Sequence, residues 1–160
     1  MAFDCLLKIN GVDGESKIDG HEDEIDILSW SWGMAQSGTT HTGGGGGAGK
    51  INIQDLSLTK YVDKSTPELM RACCNGKHFD EAVLTVRKAG EEAIEYMKVT
   101  MNQVLVTSVS TGGSGGEDRI TENVTLNFAK METGYTPQKE DGTGDAEITM
   151  NWNIEKNIEE

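Results

Sequence analysis

Apolar residues recur at every second position along most of this chain, and that period is what most constrains its fold. Side chains two residues apart share one face of an extended strand, so apolar/polar alternation marks strands with one buried and one wet face. Phe3, Cys5, Leu7 and Ile9 alternate with Asp4, Lys8 and Asn10, with Leu6 the one break. A polar, turn-rich connection runs from Gly11 to Gly20. Between Glu24 and Gln36 the apolar residues are Ile25 and Ile27, then Leu28, Trp30, Trp32 and Met34. Their parity switches between Ile27 and Leu28. A strand accommodates that with a bulge, or by passing from one neighbour to another in a barrel. From Lys50 to Leu58 the behaviour repeats, as Ile51 and Ile53 give way to Leu56 and Leu58.

Four further stretches read as extended: Phe79 to Lys88, Ile94 to Ser110, Ile120 to Glu132 and Glu147 to Glu155. In the last, Ile148, Met150, Trp152 and Ile154 share one face. Thr121, Asn123, Thr125 and Asn127 form a regular polar face opposite Ile120, Val124, Leu126 and Phe128, with Glu122 out of pattern on the apolar side. Ile94 to Ser110 is long for one strand and is expected to bend.

One helix interrupts the strands, at about 65–75. Ser65-Thr66-Pro67-Glu68 supplies a Ser or Thr N-cap, a proline in the first turn and a glutamate in capping-box position. Asn75-Gly76 supplies a left-handed stop. Leu69, Ala72 and Cys73 would face the sheet. So short a helix must pack on something, and the open end of a barrel suits it. With no alternation of strand and helix, the expectation is a mainly β protein. It would be a single domain over 1–160, an antiparallel barrel of about seven to nine strands with one short helix.

The 160 residues can bury a core without disulfides or metals. With 14 Lys+Arg against 27 Asp+Glu, the net charge is −13. That field repels nucleic acid and anionic membrane surfaces, so neither is expected as a partner. No apolar run reaches the roughly 20 residues needed to cross a bilayer. The start of the chain has no basic segment followed by a long apolar one, so a cleaved export signal is not expected. Cys5, Cys73 and Cys74 have no metal or redox spacing and read as small hydrophobes in a reducing compartment.

Of 20 glycines, six lie in Gly43 to Gly49 and four in Gly112 to Gly116, so half of them sit in two loops. Gly44 to Lys50 satisfies a GxxxxGK pattern on paper. Three things then fail. The next residue is Ile51 rather than a Ser or Thr for Mg²⁺. Lys50 opens a strand pattern rather than a helix, and Gln36 to Thr42 is polar rather than a hydrophobic strand. Successive glycines carry a large ordering cost, so this segment is expected to order against another surface.

His21, His41 and His78 are scattered, lack metal-ligand spacing and read as exposed polar residues. There is no GxSxG, and the acidic runs Glu22-Asp23-Glu24 and Gly115-Gly116-Glu117-Asp118 lack the alternating ligands of a calcium loop. Neither a metal, a cofactor nor a catalytic constellation is expected. Trp30-Ser31-Trp32 is more informative. Its indoles share a face suited to a barrel core, and the opposite face of Ser29, Ser31, Gly33 and Ala35 is small and uncharged. That face is either an ordinary outer surface or the lining of something wide.

Several long strings resemble the haemolysin-coregulated protein (Hcp) family. They are Ile25 to Met34, Gly43 to Lys50, Asp55 to Pro67, Gly76-Lys77-His78 and Val109 to Asp118. The resemblance runs nearly end to end and is weakest over Gln138 to Glu160. It implies the inner-tube subunit of the bacterial type VI secretion system. Six subunits would form a ring with a central channel, and rings would stack inside a contractile sheath below a spike protein. Small effector proteins would ride in the channel. Assembly in the bacterial cytoplasm followed by export on contraction would need no leader. On this reading Ser29, Ser31 and Gly33 line the channel. The loop Gly38, Thr39, Thr40, His41, Thr42, Gly43, Gly44, Gly45, Gly46, Gly47, Gly49 and Lys50 reaches a neighbouring subunit or ring. Lys88, Gly90 and Glu91 are weaker ring-face candidates. The alternative is a non-stacking binding module or chaperone for one exported partner. A small Asp/His hydrolase is a third reading, and nothing in the spacing supports it.

Overall fold

The computed structural model describes residues 3–38, 49–88 and 93–160. The strands are β1 (Phe3–Ile9), β2 (Ile25–Ile27), β3 (Ser29–Ser31), β4 (Met34–Ala35), β5 (Asn52–Ile53), β6 (Leu56–Tyr61), β7 (His78–Lys88), β8 (Glu95–Gly112), β9 (Thr121–Asn127), β10 (Lys130–Tyr135) and β11 (Ile148–Asn153). One helix, α1 (Thr66–Asn75), lies between β6 and β7. Nine strands form a single antiparallel sheet in the order β2-β1-β7-β8-β9-β6-β3. β10 branches from β8 and carries β11, while β4 and β5 pair separately. All described pairings are antiparallel.

The parity switch at Ile27/Leu28 explains how the sheet curls. β2 pairs with β1 at one end of the strand order, and β3 pairs with β6 at the other. Only Leu28 separates β2 from β3, and its N–H donates to the Thr59 carbonyl at 2.8 Å. The first and last strands of the path are therefore successive pieces of one extended stretch, which makes the sheet barrel-like. The second switch has the same cause: β5 pairs with β4, and after Gln54-Asp55 the chain resumes as β6 in the main sheet.

β8 bends, as its length requires. Gln103 takes a left-handed conformation (φ 54°) and the register with β9 shifts between Val106 and Ser108. The early part of β8 pairs with β7 and β10, and the later part with β9. The core lies inside this curl. Leu7, Ile9, Ile25, Leu56, Leu58, Leu84, Met101, Val124 and Leu126 are buried there, with Leu69 and Ala72 from α1 packed on them and Cys73 beside them.

Some expectations need correction. Leu6 is as buried as Leu7, so β1 is covered on both faces along part of its length. Ile120 is not a core residue; it stands 51% exposed at the base of the 113–120 turn. Ile148 and Met150 are exposed, and only Trp152 and Ile154 of that stripe pack on the core. The helix stops as expected on Gly76 (φ 69°), whose N–H donates to the Ala72 carbonyl at 3.0 Å. Its start differs, because Ser65 makes no side-chain cap and Glu68 pairs with Arg71 instead of reaching back. The Ser65 hydroxyl is taken up by the Asp63 carboxylate, so it is not free to cap.

Candidate functional site

β6 and β9 present two different faces. Directly opposed residues of antiparallel strands point the same way. On one side Leu56, Leu58 and Lys60 of β6 meet Leu126, Val124 and Glu122 of β9. On the other, Ser57, Thr59 and Tyr61 meet Thr125, Asn123 and Thr121. β3 extends that second face, with Ser29 opposite Thr59 and Ser31 opposite Ser57. β8 extends it the other way, with Ser108 opposite Thr125 and Ser110 opposite Asn123. Four adjoining strands thus show a surface of hydroxyls and amides. A shallow groove of about 380 Å³ runs over it, lined by Ser29, Ser31, Ser57, Thr59, Asn123 and Thr125.

These groups bond to one another. Thr59 Oγ1 donates to Asn123 Oδ1 at 2.8 Å. Thr125 Oγ1 lies 2.6 Å from both Thr107 Oγ1 and Ser108 Oγ. At one end the Asp55 carboxylate accepts from Thr107 Oγ1 and from Asn127 Nδ2, each at 2.8 Å. The register shift in β8 is what brings Thr107 within reach. At the other end the Arg119 guanidinium covers the Tyr61 ring, 3.8 Å from its centroid.

The core side of the same strands holds an ion pair. Lys60 and Glu122 are both 0% exposed, face each other across the ladder and are in direct contact. Thr66 of α1 donates to Glu122 Oε1 at 2.7 Å and accepts from Lys60 Nζ at 3.3 Å. Asp63 lies 3.1 Å from Lys60 Nζ, and Thr111 donates to Glu122 Oε2 at 3.2 Å. A buried charge is tolerated when paired and hydrogen-bonded, and this cluster satisfies both while tying the helix start to the sheet. Sequence reasoning noted Glu122 out of pattern but missed Lys60. The signal was present: Lys60 occupies the same parity as Leu56 and Leu58.

Ser29 and Ser31 are exposed on the hydroxyl face. Gly33 lies beyond β3, half-buried, where an added Cβ would come 3.2 Å from Gln54 Oε1. Trp30 and Trp32 pack at the margin of the core rather than at its centre; Trp32 Nε1 donates to the Gln54 carbonyl at 2.9 Å. Of the loop candidates, Gly38, Gly49 and Lys50 are exposed, while 39–47 lie outside the described residues. Lys88 is exposed at the end of β7, and Gly90 and Glu91 lie outside the described residues.

His21 is not the free polar residue its sequence context suggests. Its Nδ1 lies 2.7 Å from Glu24 Oε2 and its Nε2 lies 3.0 Å from Glu95 Oε1, so it joins the 11–24 connection to the start of β8. Cys5 lies in an apolar hollow of about 520 Å³ with Phe3, Ile27, Leu28, Trp30 and Val86. Burial pushes its thiol above the ordinary range, as fits a packing residue rather than a nucleophile. Among the described residues no three His, Cys, Asp or Glu side chains gather as a metal site.

Comparison with known proteins assigns the class first. The profile of the family described as "Type VI secretion system effector, Hcp" matches residues 6–135. Protein hcp1 of Pseudomonas aeruginosa is 61% identical over 161 aligned positions, covering 99% of each chain. The crystal structure of Hcp1 from Salmonella typhimurium is 34% identical, covers all of both chains and superposes with a TM-score of 0.81. Another solved type six secretion system protein, 28% identical over 99% of this chain and all of its own, superposes at 0.94. The class is that of a secreted tube and effector protein of the type VI secretion system, structural rather than enzymatic. The chain belongs to the Hcp family.

Proposed function

We propose that this chain closes into a six-membered ring with a central channel, that rings stack into the secretion tube, and that Ser29 and Ser31 face the channel. The observation that carries this reading is the continuous uncharged face over β3, β6, β9 and the later part of β8. A solvated sheet face ordinarily mixes in charged residues. Hydroxyls and amides on four adjoining strands instead suit a wall past which folded cargo slides. A head-to-tail contact closes into a ring when its rotation divides the circle.

Material for that contact lies elsewhere on the chain. Tyr135, Ile148 and Met150 are exposed on β10 and β11, and Ile148 at 65% is the most exposed large apolar side chain among the described residues. Beside them a hollow of about 260 Å³ is lined by Met34, Gly49, Ile51, Met150 and Trp152. An open apolar edge invites pairing and is a hazard unless covered. Gly49, at the described end of the 38–49 segment between β4 and β5, lines that hollow, which supports the reading of the segment as a contact arm. Lys88, at the end of β7, is assigned to the ring face, together with Gly90 and Glu91, which lie outside the described residues. Six copies at −13 each bring −78 to a ring. Like-charge repulsion therefore opposes stacking and eases as salt screens it, so stacking is weaker than ring closure.

In this reading the tube grows in the bacterial cytoplasm, inside a contractile sheath and below a spike protein. It leaves on contraction, with small effector proteins in its channel. Native mass spectrometry of the purified protein tests the core of the proposal. A dominant six-copy species is expected; a monomer or dimer at micromolar concentration would assign the chain to a non-stacking binding module instead.

A further inference from the structure

The hydroxyl face has a charge at one end. Outward positions along β3, β6 and β9 carry hydroxyl or amide groups, and Asp55 supplies a carboxylate beside them. That carboxylate is not a loose surface group. It is half-buried and held by Thr107 Oγ1 and Asn127 Nδ2, each at 2.8 Å. Two donors fix its orientation and leave acceptor capacity on both oxygens for a further partner. At the opposite end the Arg119 guanidinium lies over the Tyr61 ring and keeps its positive charge there. The face is thus neutral over its hydroxyl and amide positions, with a negative group at the Asp55 end and a positive one at the far end.

We propose that Asp55 is the charge-selecting residue of the channel, and that the cargo it favours presents lysine or arginine side chains. This rests on the six-fold ring with Ser29 and Ser31 inward. In such a ring each Asp55 recurs six times at one level. A closed wall of one sign focuses its potential into the lumen more than the same charges spread over an outer surface. Preoriented carboxylates meet guanidinium or ammonium groups without reorganising. Acidic cargo is repelled at the same level, so the residue discriminates in both directions.

The test uses purified rings and two probes of similar size and opposite charge: the cationic protein lysozyme and the acidic protein α-lactalbumin. Binding is measured at low salt on the parent chain and on the variants Asp55→Asn, Asp13→Asn and Ser31→Gln. Asp13 is exposed in the 11–24 connection and loses the same charge away from the hydroxyl face. Asp55→Asn should weaken lysozyme binding about five-fold, Asp13→Asn should leave it within experimental error, and α-lactalbumin should bind none of them. Lysozyme binding that Asp55→Asn and Asp13→Asn reduce equally overturns the assignment. If Ser31→Gln still obstructs lysozyme in that case, the channel reading stands without Asp55. If Ser31→Gln has no effect, or if no rings form, the channel reading and the Asp55 assignment fall together.

Discussion

The two faces of β6 and β9 solve opposite problems with similar groups. On the core side Lys60, Glu122 and Thr66 form a polar cluster in which both charges are wholly buried. On the far side Asp55, Thr107, Thr125 and Asn127 form a cluster of comparable size in contact with water. Burial makes the difference. An unpaired buried charge costs several kcal/mol, whereas an exposed group that loses a partner takes water in its place. The inner cluster therefore belongs to folding, and the outer one is free to be used for function.

Breaking the inner cluster should give the largest effect. Lys60→Met leaves Glu122 charged and buried, and should lower unfolding stability by about 3–5 kcal/mol in urea titration. Combining it with Glu122→Leu should cost much less than the two single changes added together. A double variant as unstable as that sum would mean that Lys60 and Glu122 do not stabilise each other, and that their bonds to Asp63, Thr66 and Thr111 carry the effect. Next, Thr66→Val removes a donor to Glu122 and an acceptor for both Lys60 Nζ and the Asp63 N–H, and should cost about 1–3 kcal/mol.

Changes away from the core should hardly register in stability and should appear in cargo retention or stacking instead. Ser31→Gln should stay within about 0.5 kcal/mol of the parent and form rings of the same mass, yet retain less cargo. Replacing Gly44 to Gly47 with alanines should leave the circular dichroism spectrum and melting transition unchanged while reducing stacked tubes in electron micrographs. Unchanged stacking would remove that loop from the contact.

The smallest effect concerns Asp26. Partial burial first, and the nearby Asp63 carboxylate second, hold its carboxyl above the usual aspartate range. A carboxyl raised on folding favours the folded state while protonated, and that contribution fades as pH rises through the folded value. Asp26→Asn should therefore raise stability slightly at neutral pH, with the gain disappearing in acid below the ordinary aspartate range.

Much of the fold was legible because strand period and turn chemistry are local. The parity switch at Ile27/Leu28 marked the passage from β1 to β6, and Asn75-Gly76 marked the helix stop. What escaped was non-local. His21 meets Glu95 across 74 positions, which no window of sequence contains. Lys60 and Glu122 each broke an apolar pattern by itself, and only the register made them a pair. Ile148 and Met150 read as core because periodicity reports that a face is apolar, not whether that face meets the core. The hydroxyl face was half legible: Ser29 and Ser31 stood out between tryptophans, but Asp55 and Thr107 joined them only through the irregular register of β8.

The most direct test of the division between these faces is a cryo-electron microscopy reconstruction of the purified rings at side-chain resolution. Ser29, Ser31, Ser57 and Asn123 should line the lumen, with α1 and the Lys60–Glu122 pair set away from it. A ring in which the hydroxyl face points outward, with another surface around the channel, would contradict it.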